Sequence, residues 1–291
     1  MFQQIIANSI ISGAIYGLIA SGFSLIYSTN KFIHFAHGAT VLVAGYLVYL
    51  FFNLLKLNFG FATVLSILLT ILLGVTFHLI YQFLRKRKAT STILLIVSVV
   101  LLLIFESLVL LCFGADVKTI GFLPVKEGLL VFGARITPLQ IFIFFSSLIL
   151  LISLYFFMKR TKLGKAMRAV ASNKEIAETL GISANKIYLI TFVLGSALAS
   201  IAGILIGLEQ NLDPSSGTFF SLKGLTASII GGITSVPGAI LGSYLLGFAE
   251  NIAAWFFPTG DKDAISSILL FLFLLFRPQG ILGIKKEGEK C

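Results

Sequence analysis

Apolar stretches of about twenty residues recur along this chain, and they decide its solvent before its fold. Long runs cover residues 4–27, 32–55, 59–84, 92–114, 138–158, 187–208 and 238–257, with a last run at 264–276. A shorter, glycine-rich piece lies at 222–234, followed by Pro237. Charged residues make up only 12% of the chain, about half the share of a soluble globular protein. That is too few to cover a water-facing surface. It excludes a soluble enzyme, a disordered chain and a nucleic-acid-binding protein, despite a formal net charge of +10. Barrel strands alternate apolar and polar residues, whereas these runs are apolar on every face. The expected fold is an all-α integral membrane protein. It is a polytopic helical bundle of about eight to ten transmembrane segments, one of them short or broken, forming one domain over residues 1–291. The first residues lack a basic n-region, so the first run is expected to be a retained span. The two cysteines, Cys112 and Cys291, supply no disulfide framework.

Basic residues set the orientation. Residues 85–88, 159–186 and the tail from Arg277 hold fifteen of the 22 Lys and Arg residues. The positive-inside rule places all three segments in the cytoplasm. The N-terminus, the polar segment 115–137 and residues 209–221 then fall outside. Four crossings must separate Lys186 from Arg277, which requires the 222–234 piece to cross as a short or broken helix. Gly231, Gly232 and Pro237 interrupt it, and its first amides could face a substrate carboxylate along a permeation path lined by these residues and Glu106. Small residues at spacing four (Gly195, Ala199, Gly203 and Gly207; Gly13 and Gly17; Gly238 and Gly242) are expected to serve close helix packing within the chain.

No sequence signature of an enzyme is present. There is no P-loop, no H-E-x-x-H, no C-x-x-C and no G-x-S-x-G. Neither a cofactor nor a metal site is expected. His34 and His37 are three apart, which puts them on one helix face, but no third ligand stands near them; interfacial hydrogen bonding is their expected role. Three carboxylates lie in or near spans: Glu106, Glu209 and Glu250. Glu106 is placed deepest, as a hydrogen-bonded carboxyl packed in the bundle or as a titrating group. A stand-alone proton-coupled transporter or channel using Glu106 or Glu250 is therefore an alternative to any ATP-driven reading.

The segment 159–186 carries a helix signature. Ser172 and Glu175 have capping-box spacing, Ile176, Ala177 and Leu180 line one face, and Gly181 supplies a left-handed stop. Leu163, Met167 and Val170 repeat the helical spacing upstream. A helix this short needs something to dock on. The residues leave two readings open, a fold-back onto the bundle or a docking site for a soluble partner.

Four motifs in order resemble the LivH-type permeases, the membrane subunits of ABC importers for branched-chain amino acids. They are Gly22-Phe23-Ser24-Leu25-Ile26-Tyr27 with Ile33-His34-Phe35-Ala36-His37-Gly38; Leu163-Gly164-Lys165-Ala166-Met167-Arg168-Ala169-Val170-Ala171 with Asn173, Ala177 and Leu180-Gly181-Ile182; Gly231-Gly232-Ile233-Thr234-Ser235-Val236-Pro237-Gly238-Ala239-Ile240-Leu241-Gly242; and Arg277-Pro278-Gln279-Gly280-Ile281-Leu282-Gly283. This chain departs from the family pattern at His34, at Ala39-Thr40 and at Thr234. The resemblance implies that residues 165–181 hold a coupling helix seated in a groove of a separate ATPase. Gly164, Met167, Ser172, Glu175, Ile176, Ala177, Leu180 and Gly181 are then the coupling residues. It also implies two ATP-binding subunits, a homologous second permease, an extracytoplasmic substrate-binding protein, and a multi-pass location in a bacterial inner membrane. The expected activity is inward movement of branched-chain or other small amino acids by alternating access.

Overall fold

A computed structural model describes residues 2–122, 128–131, 133–256, 262–277 and 279–283. Lys126, Glu127, Phe257, Pro278, Lys285, Lys286, Lys290 and Cys291, used in the sequence reading, lie outside the described residues. Eleven α-helices follow one another: α1 Phe2–Asn30, α2 Ala36–Val48, α3 Phe59–Lys86, α4 Ser91–Phe113, α5 Pro138–Arg160, α6 Lys162–Ser172, α7 Lys174–Thr179, α8 Ala184–Glu209, α9 Gly217–Gly231, α10 Val236–Phe256 and α11 Lys262–Phe276. A π-helical stretch, Tyr49–Leu54, extends α2. Seven of these helices are long and apolar enough to cross a membrane, and α9 and α11 are shorter, at 15 residues each. The helical bundle expected from the apolar runs is present.

Local chemistry fixes the helix ends. Asn58 and Thr90 cap α3 and α4 through their side chains. Thr137 and Gln140 form a capping box at α5, where Pro138 takes the first helical position. Two boundaries differ from the sequence expectation. Helix α9 starts at Gly217, five residues before the apolar run, because Thr218 and Ser221 find polar partners inside the bundle. Pro237 is the second residue of α10, where a missing N–H costs nothing. Strand β1 Leu129–Val131 also pairs antiparallel with β2 Ala134–Ile136, a hairpin that the apolar pattern did not signal.

Helix α1 runs through the centre and is buried along nearly its whole length, packed by α8, α9, α10 and α5. The small-residue ladder on α8 serves this packing: a side chain at Gly195 would meet Ile26, and one at Gly203 would overlap the Val41 carbonyl. Helices α3, α4 and α5 present Leu68, Leu72, Ile96, Leu103, Phe145 and Ile149 outward, an apolar surface suited to lipid. Tertiary contacts sort the two ends. Gln4 Nε2 donates to the Arg135 carbonyl and Gln140 Nε2 to Glu209, which joins the start of α1 to the hairpin and the end of α8. Arg85 Nη2 donates to the Asn30 carbonyl and stacks on Tyr188, which joins the end of α1 to the end of α3 and the start of α8. The second end carries residues 85–88 and helices α6 and α7, the basic segments that the positive-inside rule expects in the cytoplasm. Helix α9 runs from the bundle interior to this end, where Ile281 and Leu282 of the tail donate to its last carbonyls. Between Lys186 and Arg277 the chain forms two helices long and apolar enough to cross, α8 and α10, and two shorter ones, α9 and α11.

The cytoplasmic pair departs from the sequence reading in two ways. Ser172 ends α6 and does not cap α7; Asn173 is the cap, its Oδ1 accepting the Ile176 N–H at 3.1 Å. The cause is register: the extended backbone lies at Asn173, one residue later than the capping-box spacing with Glu175 requires. Ile176, Ala177 and Leu180 also do not share one environment. Ala177 is 1% exposed against the bundle, whereas Ile176 and Leu180 are 59% and 73% exposed. Gly181 does stop the helix. Its φ is 81°, its N–H donates to Glu178, and the Ile182 N–H donates to Ala177, the paired bonds of a Schellman end.

Candidate functional site

Two helices begin inside the bundle rather than at its surface, and their first turns meet. After α1 ends at Asn30, residues 31–35 turn back so that α2 starts beside the middle of α1; His37 Nε2 lies 3.2 Å from the Ile19 carbonyl. The start of α2 is tied to α4 and α9. The Phe35 N–H donates to Ser98 Oγ at 3.1 Å, and the Gly38 N–H donates to Ser221 Oγ at 3.1 Å. Ser221 in turn donates to the Phe35 carbonyl at 2.6 Å. Glycine is required at position 38, because a Cβ there would overlap the Gly217 carbonyl and the Ser221 hydroxyl.

The start of α9 holds a carboxylate. Glu106 Oε1 accepts the Thr218 N–H at 2.6 Å, and Oε2 accepts the Thr218 hydroxyl at 3.1 Å. The first-turn amides of a helix and its dipole favour an anion at this point. The sequence reading allowed a substrate carboxylate at these amides; the Thr218 amide is taken by Glu106 of the bundle itself.

His34 and His37 lie beside this junction, 2% and 0% exposed, with ring centroids 6.3 Å apart. They do not share a helix face, because His34 belongs to the segment before α2. Nor are they interfacial: His34 Nδ1 lies 2.9 Å from the Tyr81 hydroxyl within an aromatic cluster of Phe77, Tyr81 and Phe192. No group of three metal-ligating side chains occurs among the described residues.

Glu250, not Glu106, is the deepest carboxylate. It is 1% exposed and accepts hydrogen bonds from Tyr16, at 2.8 Å, and from Ser266. Lys223 Nζ stands 3.6 Å from Glu250 Oε1 and 3.1 Å from the Tyr16 oxygen. This network joins α1, α9, α10 and α11. The sequence reading passed over Lys223. Its signal was a single cation inside an otherwise apolar helix, which demands a carboxylate partner in a lipid setting. The sequence reading placed Glu106 deeper than Glu250, but α11 packs against Glu250 through Ser266.

The structure separates the other candidates. Gly231 and Gly232 sit at the end of α9 and Pro237 in the first turn of α10; Gly231 is fourteen residues from the start of α9, or about 21 Å along the axis. There Gly231 and Gly238 press backbone against backbone, and Gly232 takes φ 112° beneath the Gly283 backbone. Glu106 is therefore not part of the same constellation. Among the residues that the resemblance assigns to coupling, Gly164, Met167 and Ala177 face the bundle, and Ser172, Glu175, Ile176, Leu180 and Gly181 face outward.

Comparison with known proteins agrees with this architecture. The profile of the family described as "Branched-chain amino acid transport system / permease component" matches residues 5–276. The chain is 34% identical to the high-affinity branched-chain amino acid transport system permease protein BraD of Pseudomonas aeruginosa, over 99% of this chain and 98% of that one. It is 30% identical to LivH of Escherichia coli K12, over 99% and 97%. A probable LivH of Methanocaldococcus jannaschii is also 30% identical, over 97% and 93%. The solved structure of PsaBC from Streptococcus pneumoniae in complex with Fab shares the fold, with a TM-score of 0.51 at 13% identity over 96% of this chain and 97% of that one. The chain belongs to the family of branched-chain amino acid transport system permease components.

Proposed function

We propose that this chain is the membrane permease subunit of an ABC importer for branched-chain amino acids and other small amino acids of similar shape. The observation that carries the reading is the family match over nearly the whole chain, with relatives of matching length. Permease components of such systems work with an ATPase and a substrate-binding protein. We assign two ATP-binding subunits, a homologous second permease and an extracytoplasmic binding protein as partners, in a bacterial inner membrane. The proton-coupled alternative is not favoured by the relatives, and both carboxylates it relied on are engaged by protein donors.

The coupling role falls to α6 and α7. Ile176 and Leu180 are large, apolar and exposed on the cytoplasmic side, outside the lipid, where they support docking into an ATPase groove. Ala177 anchors the same helix to the bundle. A push on Ile176 and Leu180 would then reach α1, α5 and α8 through Met167, Val170 and Ala177, which share one buried cluster with Leu154, Ile187 and Leu198. The 1–291 domain acts as one body in this scheme. Affinity purification of the tagged chain in mild detergent tests it. The account expects an ATPase and a second permease in the eluate. A chain that purifies alone and transports under a proton gradient contradicts it.

A further inference from the structure

A polar cavity of about 300 Å³ opens at the cytoplasmic end, between the ends of α1 and α3 and the starts of α4, α7 and α8. Arg85, Lys86 and Lys174 line it, together with Gln82, Ser91 and Asn185, and no carboxylate does among the described residues. Such a concentration of positive charge is costly unless an anion joins it. Lys174 has a partial partner in Glu178 at 4.0 Å on the outer side of α7. Arg85 is held in place by neutral groups: its Nη2 donates to the Asn30 carbonyl at 2.8 Å, and its guanidinium lies 4.6 Å from the Tyr188 ring centre. The planar fork is thereby fixed while donors remain for a ligand.

Two helix starts reinforce the field. Ser91 is the first residue of α4, and Asn185 is the second of α8. The α8 cap residue, Ser183, makes no side-chain capping bond, so the first amides of α8 are left for another acceptor. The setting points to the source of the anion. Leu79 and Phe83 on α3, and Ile93 and Ile96 on α4, are exposed apolar side chains within three residues of the cavity-lining Gln82, Ser91 and Leu94. Exposed apolar side chains next to a cationic pocket at the end of two long apolar helices suit the acyl chains of a lipid.

We propose that this cavity binds the phosphate of an anionic lipid headgroup from the inner leaflet. The lipid would bridge α3 and α4 to Lys174 at the start of α7, placing it beside the segment assigned to coupling. Membrane-proximal basic clusters gain about a factor of five per charge on anionic lipid.

Native mass spectrometry of the purified full chain, titrated with phosphatidylglycerol, phosphatidylcholine or inorganic phosphate, tests the proposal. Phosphatidylglycerol should bind saturably and in preference to phosphatidylcholine. The double substitution Lys86→Gln with Lys174→Gln removes two exposed cations without touching buried packing, and should weaken that binding roughly thirtyfold. Arg85→Gln should weaken it as well, although its structural contacts make it the secondary variant. Inorganic phosphate that competes as well as the lipid would overturn the headgroup as the source. Equal retention of both lipids, or unchanged phosphatidylglycerol binding by the double variant, would overturn the site itself.

Discussion

Glu106 on α4 accepts both the backbone N–H and the hydroxyl of Thr218, the second residue of α9, at 2.6 and 3.1 Å. The contact is made 112 residues apart in sequence and holds the interior start of a short helix to an outer one. An ionised carboxylate at a helix start is stabilised by the dipole and by the free amides, worth up to about 2 kcal/mol when partly buried. Glu106→Ala should leave the Thr218 amide without its acceptor and cost about 1–3 kcal/mol. Glu106→Gln keeps an oxygen for that amide and should cost less. Unfolding midpoints in detergent read the difference, and equal midpoints for the two variants would show that the contact contributes nothing.

The Lys223–Glu250 pair makes a different prediction. Removing one partner of a buried ion pair costs about 3–5 kcal/mol, because the other charge is stranded. Lys223→Met should therefore destabilise the bundle strongly. Combining it with Glu250→Gln, which still accepts from Tyr16 and Ser266, should restore a large part of the loss. A double-mutant cycle on membrane-extracted protein measures this. Additive losses would mean that the two side chains do not act as a pair.

Gly38→Ala tests the junction of α2 and α9. Its methyl group would press on the Gly217 carbonyl and the Ser221 hydroxyl, neither of which can yield without moving α9. Overpacking of this kind costs about 1–3 kcal/mol. Gly60→Ala, whose new methyl would meet only the Asn58 side chain at 3.4 Å, is the control. A midpoint for Gly38→Ala matching that of Gly60→Ala would contradict the close approach.

Helix α7 separates two effects that the sequence merged. Leu180→Glu and Ile176→Glu change exposed side chains, so the chain should reach the membrane in normal amount and lose its ATPase partner. Ala177→Glu puts a charge into the bundle and should instead reduce folded protein, since a buried unpaired charge is heavily penalised. Membrane abundance and ATPase recovery, measured on the same preparations, distinguish the two. Normal abundance for Ala177→Glu would contradict the burial, and full ATPase recovery with Leu180→Glu would remove the docking face.

The spans were legible because lipid demands long apolar helices, and most predicted runs match observed helices to within a few residues. The Gly181 stop was legible for a similar reason: a left-handed residue has few alternatives to glycine. What the sequence hid depends on partners distant in the chain. Nothing local in residues 31–38 signals that the chain turns inward after α1; the turn is held by Ser98 and Ser221, which come from two other helices. Glu250 looked peripheral because α11, which covers it, follows later in the chain. The cap at Asn173 was missed because Ser172 and Asn173 are both good caps, and only the backbone decides between them. The difference between Ala177 and Leu180 was hidden because a short helix of mixed residues presents apolar groups on more than one side.

The most direct test of the central claim is uptake of radiolabelled leucine into proteoliposomes containing this chain, its second permease and its ATPases, with the binding protein supplied on the opposite side from ATP. The account predicts uptake that requires both ATP and the binding protein, is unaffected by collapsing a proton gradient, and is lost with Leu180→Glu at unchanged protein content. Uptake by this chain alone, driven by a proton gradient and indifferent to ATP, would contradict it.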